Sequence, residues 1–164
     1  MVLIAVMAIF FTQKTQAKTQ SINVLQTVIT DYLNLKNALS NDAANNANVA
    51  ANRLLTDLKS VPMEKLTTDQ HKIWMQYHAS LINEASAIGK TGDLEKQRSI
   101  FKTFSPDFFN VLKRLKISNI ELYYQYCPMA DAYWVSESQK IANPYLGQQM
   151  KSCGSTKETL KTLK

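Results

Sequence analysis

Four stretches of this chain repeat apolar residues at helical spacing, and each is bounded by residues that start or stop helices. Ile22, Leu25, Ile29, Tyr32, Leu33 and Leu39 form the first stripe, over about Ser21 to Leu39, and Ser40-Asn41-Asp42 ends it and caps the next helix. The second, about Asp42 to Ser60, is built on Ala43, Ala44, Ala47, Ala50, Ala51, Leu54, Leu55 and Leu58. Small residues there let a neighbouring helix approach closely, and Pro62 stops the run. The third starts at Thr67 or Thr68 as N-cap and carries Ile73, Trp74, Tyr77, Leu81, Ala85 and Ile88, with Gly89 placed as a C-terminal cap. The fourth follows Asp93 with Leu94, Phe101, Phe104, Phe108, Val111, Leu112 and Leu115; Ser105-Pro106 predicts a kink, or a break with Ser105 as a new cap. Only four glycines punctuate the chain, which also favours helix over strand. Short connections between the helices predict antiparallel neighbours. The expected fold is therefore all-α, an up-and-down bundle of about four helices with an irregular aromatic-rich C-terminal segment packed on it.

After Ile117 the pattern changes. Ile120, Leu122, Tyr124 and Tyr126 alternate with Glu121, Tyr123 and Gln125, which reads either as a strand or as an extended segment laid across the bundle. Short helices are expected around Ser136–Lys140 and Tyr145–Lys151, and the tail from Ser155 reads as helical.

The run Met1–Phe11 is almost wholly apolar and too short to span a bilayer as a helix. Followed by polar Thr12–Ala17, it matches the apolar region of a signal peptide, so residues 1–17 are expected to direct export and 18–164 to form a single domain without a stable membrane span. The formal charge of +6 falls to +5 without Lys14. That excess is spread along the chain rather than clustered in a stripe, which argues against a nucleic-acid partner. There is no defensible Ser/His/Asp order, no Gly-rich phosphate loop and no carboxylate pair within an apolar segment, so catalysis is not expected.

Both cysteines lie in the C-terminal third, each within three residues of a methionine: Cys127 with Met129, and Cys153 with Met150. Two alternatives stand. Two cysteines in an exported protein commonly pair, and closing the loop of 25 intervening residues would stabilise the fold by about 3 kcal/mol. Alternatively, two thiolates and two thioethers are soft donors suited to Cu(I). A second candidate face lies on the third helix, where His71, Met75 and His78 fall in one stripe; it gains weight if the C-terminal segment packs over that helix. Arg98 is expected to pair with a carboxylate or with carbonyls of the C-terminal segment.

These residues also carry a resemblance. Tyr32 and Leu35-Lys36-Asn37-Ala38-Leu39, then Gln97-Arg98 with Phe101 and Ser105, then Tyr126-Cys127-Pro128-Met129-Ala130 and Ala132-x-Trp134 occur in order. Ile141-x-Asn143-Pro144-Tyr145-x-Gly147-x-x-Met150-x-x-Cys153-Gly154 and Glu158 complete the series. Together they resemble the bacterial domain of unknown function 3347, over nearly all of the chain after the apolar start. Asp131 and Lys151 depart from that pattern, and neither is a candidate ligand. The family occurs in exported proteins and as a module appended to copper/silver efflux adaptors. The resemblance thus implies a helical bundle in the cell envelope with a link to heavy-metal handling, and an efflux adaptor or other envelope protein as partner. Tyr-x-Cys-Pro-Met is also similar, over a few residues, to the opening of small heavy-metal-binding modules on the same adaptors. The expected function is Cu(I) buffering or delivery; the alternative is a metal-free envelope interaction module stapled by a Cys127–Cys153 disulfide.

Overall fold

The computed structural model describes residues 24–162. The expected signal peptide and the start of the first helix at Ser21 lie outside them. Helix α1 covers 24–40, α2 Ala44–Ser60, α3 Thr68–Lys90 and α4 Leu94–Leu115. Consecutive helices pack side by side, α2 on α3 and α3 on α4, as the short connections require.

The caps explain where the helices begin and end. Thr67 opens α3 with a capping box: its hydroxyl accepts from Gln70 N at 3.2 Å, and the Gln70 side chain accepts from Thr67 N at 3.1 Å. The Asp93 carboxylate opens α4 by accepting from Glu95 N and Lys96 N. Lys116, at φ 52°, closes it in the left-handed conformation, with its N–H on Leu112 O. Asp42 does not cap α2. Ala43 stands at that position without a side-chain bond, because the Asp42 carboxylate is engaged by Arg98 and by Gln148 N.

Gly89 is not a cap either, since α3 runs on to Lys90. The carbonyls at that end are satisfied by α2: Asn48 Nδ2 donates to Ile88 O at 3.0 Å and to Thr91 O at 2.7 Å, and Asn52 Nδ2 donates to Gly89 O at 3.3 Å. A side chain at residue 89 would run into Asn52, so the glycine serves close approach of the two helices. Helix α4 continues through Pro106 without a break. The Ser105 hydroxyl starts no new helix; it bonds the Tyr32 hydroxyl at 2.6 Å inside the core.

The C-terminal third is a sheet, which corrects the all-α expectation. Strands β1 (Leu122–Cys127), β2 (Ala132–Ser136) and β3 (Ser155–Leu160) lie in the order β2-β1-β3, antiparallel throughout. Gln125 stands opposite Trp134 and Tyr126 opposite Tyr133, and a bulge interrupts the β1–β3 pairing at Tyr124/Gln125. The tail from Ser155 is thus a strand, residues 136–140 are not helical, and the expected helix over Tyr145–Lys151 shrinks to one 3₁₀ turn, Gly147–Gln149.

Side chains alternate across a strand, so Tyr133 and Trp134 point to opposite faces. On the first face the sheet meets α4, where Phe109 stacks on Tyr124 with ring centroids 3.6 Å apart. On the second face the segment 137–154 folds back: Tyr145 meets Trp134 edge-on, and Gln125 Nε2 donates to Ser138 O at 2.9 Å. Tyr32 joins the layers. Fully buried, it stacks on Phe108 at 4.3 Å and Phe101 at 5.5 Å, and its hydroxyl accepts Val135 N–H at 2.9 Å. One core therefore runs from α1 through α4 into β2.

Candidate functional site

The two cysteines meet. Cys127, fully buried at the end of β1, is disulfide-bonded to Cys153 just before β3, with Cα atoms 5.7 Å apart. The chain is brought back to that point by Asn143, itself fully buried. Its N–H donates to Lys151 O at 2.9 Å and its Nδ2 to Cys153 O at 2.9 Å. Its Oδ1 accepts from Tyr145 N at 2.8 Å and Leu146 N at 3.0 Å. Gly154 completes the approach: at φ 143° it lies against the Trp134 ring, where a Cβ would clash.

The methionines expected beside the cysteines are at the surface. Met129, in the β1–β2 turn, is 66% exposed, and Met150 is 39% exposed. The histidine face is elsewhere. Helix α3 packs on α2 and α4, while the sheet rests on α4. His71 and Met75 are exposed there, and His78 is half-buried with its ring 5.5 Å from Trp74. Burial lowers the His78 pKa, and its Nε2 is buried without a hydrogen-bond partner. Among the described residues no three His, Cys, Asp or Glu side chains converge as a metal-holding group.

Arg98, 8% exposed, lies at the junction of α1, α4 and the C-terminal segment. Nε donates to Pro144 O at 2.9 Å, Nη2 to Leu39 O at 2.9 Å and to the Asp42 carboxylate, and Nη1 to Glu95 Oε1 at 3.1 Å. This is the expected pairing with both a carboxylate and a C-terminal carbonyl. Burial tends to raise the Asp42 pKa, but Arg98, the Gln148 N–H and the charge of Lys151 outweigh it and hold the carboxyl below its ordinary range.

A second ion pair escaped the sequence reading. Lys36, 1% exposed, holds Glu137 at 2.9 Å, and Asn37 Nδ2 donates to the same carboxylate at 2.9 Å. Burial pulls the lysine below its ordinary range against the pull of Glu137. Burial also pushes Glu137 upward, but Asn37 and Lys36 bring it below its ordinary range. A signal existed: Lys36 stands four residues after Tyr32, on the apolar face of α1.

The first face of the sheet carries an aromatic ladder. Tyr124 stacks on Tyr133 at 4.9 Å, and Tyr133 meets Tyr126 at 4.4 Å with the rings tilted by 37°, outward from the buried Phe109. Tyr133 is 37% exposed. Lys157 Nζ lies 5.7 Å from the Tyr126 ring, and Tyr126 donates its hydroxyl hydrogen to Asp131 at 3.0 Å.

The family model described as "Protein of unknown function (DUF3347)" matches residues 28–119, more than half of the chain. The chain belongs to this family. The match covers the helices from α1 through α4 and ends before β1, so the cysteine and methionine motifs lie beyond it. It is thus shorter than the likeness read from the residues. No curated protein and no solved structure matches the chain.

Proposed function

We propose that this domain is an exported interaction module. Its helical bundle carries a sheet clamped by the Cys127–Cys153 disulfide, and the sheet docks on a second envelope protein through Tyr126, Tyr133 and Met129. The observation that carries the reading is the aromatic ladder, anchored at Phe109 in the core and open at Tyr133. Rigid tyrosines give large contact area at low entropic cost, and tyrosine and methionine are enriched at interfaces. The disulfide supports export, because such bonds persist in oxidising compartments. The apolar run Met1–Phe11 supports the same conclusion.

The test is a photo-reactive residue at position 133, with one at position 71 on α3 as control. Position 133 should form a discrete adduct with one envelope protein, lost in Tyr126→Ala/Met129→Ala. That partner, purified, should bind the domain at least tenfold more weakly once the ladder is cut. Equal adducts at both positions would refute the surface.

A second reading has its own support. The clamp draws the Cys127–Met129 and Met150–Cys153 segments to one end of the sheet. Reduced, that end would offer thiolates and thioethers to Cu(I), for delivery to a heavy-metal efflux adaptor. The oxidised form would withhold both thiolates. Cu(I) titration of the reduced protein against a competing chelator, with Cys127→Ser/Cys153→Ser and Met129→Leu/Met150→Leu, tests it. If neither variant loses affinity, His71, Met75 and His78 remain the metal candidates.

A further inference from the structure

A groove of about 640 Å³ lies between the C-terminal end of α1, the segment following β2 and residues 148–152. It is a different surface from the tyrosine ladder. Its size is that of a small-molecule site. Three lysines line it, Lys36, Lys140 and Lys151, against one carboxylate, Glu137. Asn41 and Met150 complete the part of the wall that matters here.

Lys36 is the unusual member. An ammonium has three donors, and among the described residues Glu137 is its one ion-pair partner, at 2.9 Å. Burying such a group costs free energy unless it is fully paired. Lys151 adds to the cost, since its positive charge acts on Lys36 from across the groove. Lys151 is itself held in place, donating to Asn41 Oδ1 at 2.6 Å, and Gln148 Nε2 braces the same oxygen at 3.2 Å. The fold therefore fixes excess positive charge in a concave, partly desolvated space, where an anion is favoured.

We propose that this groove binds a small organic anion, carrying a carboxylate or a phosphate, with Lys140 and Lys151 as its cationic contacts and the buried Lys36 adding positive charge from the wall. The remaining lining residues are mostly Ser, Asn and Gln, but with Ile141, Ala142 and Met150 among them the surface facing the groove is more apolar than polar, which suits a ligand with an apolar portion beyond its charged end. Lysine, a point charge without a guanidinium's fork, accepts either oxyanion.

The experiment is an amide-resolved NMR titration of the oxidised domain with two probes, inorganic phosphate and succinate, at ionic strength held constant with chloride. Saturable shifts confined to the groove are expected with at least one probe. Phosphate alone would assign a phosphorylated ligand, and succinate alone a carboxylated one. Lys140→Gln/Lys151→Gln, both at accessible positions, should weaken binding about tenfold or more. Lys36→Met should weaken it further if the variant folds, and Lys113→Gln, on α4 and outside the groove lining, should leave it unchanged. Absence of saturation with both probes, or unaltered binding in the Lys140/Lys151 variant, would overturn the proposal.

Discussion

Replacing Arg98 by methionine removes all of the guanidinium's donors from the junction while keeping most of the side-chain volume. Pro144 O has its bond to Nε at 2.9 Å, and stranding a buried carbonyl costs about 1–3 kcal/mol. Leu39 O also accepts Asp42 N at 3.2 Å, so its loss is smaller, below about 1 kcal/mol. The Asp42 side chain is 35% exposed and keeps the Gln148 N–H, which limits its loss to about 1 kcal/mol. Glu95, 83% exposed, contributes almost nothing. The expected destabilisation is about 3 kcal/mol, or roughly 6–12 °C in Tm for a chain of this size. Arg98→Lys retains the charge but not the fork, and should lose about half as much. Urea unfolding with the disulfide intact measures both. Amide exchange at Tyr145–Gln148 should accelerate in the methionine variant, because the bond that holds Pro144 is gone. A loss below about 1 kcal/mol for Arg98→Met would refute the junction as the tie between bundle and C-terminal segment.

Gly147, at φ 52°, faces Asp42 and Arg98, so Gly147→Ala combines left-handed backbone strain with a clash and should cost about 2–4 kcal/mol in urea unfolding. Cys127→Ala/Cys153→Ala opens a loop closed at a sequence separation of 26, and chemical denaturation should show a loss of about 3 kcal/mol. Asp42 and Glu137 titrate below their ordinary values of 3.8 and 4.5 in the folded protein. Their contribution is therefore full above about pH 4.5 and is lost as pH falls through the folded values, where the unfolded chain already binds the protons. Stability measured across that window should decline on acidification, and Asp42→Asn should flatten part of the decline.

The helices were legible because their apolar spacing, caps and breakers agree with the tertiary structure; Asp93 and the Thr67–Gln70 box needed nothing distant. Gly89 was misread because its end of α3 is finished by Asn48 and Asn52 of another helix, which no local pattern records. Asp42 was misread for the same reason: a cap-like residue was taken by Arg98, 56 residues away. The sheet was half legible. Strand β1 alternates, but β3 is the polar edge Ser-Thr-Lys-Glu-Thr-Leu, with too little apolar surface to betray a strand. Of the candidate site, the cysteine proximity was readable because Cys127 and Cys153 flank one aromatic segment and either reading offered for them, a disulfide or a shared soft-metal site, needs them close together. The Lys36–Glu137 pair spans 101 positions and was visible only as a lysine out of place on an apolar face.

The claim on which the rest depends is that Cys127 and Cys153 form a clamp in the working protein. The direct measurement is the mass of the protein isolated from the cells that make it and alkylated without reduction. No alkylated cysteine is expected, and digestion should yield a Cys127–Cys153 cross-linked peptide. Two alkylated cysteines in folded protein would contradict it, and would leave the Cu(I) reading of the reduced thiols as the one to pursue.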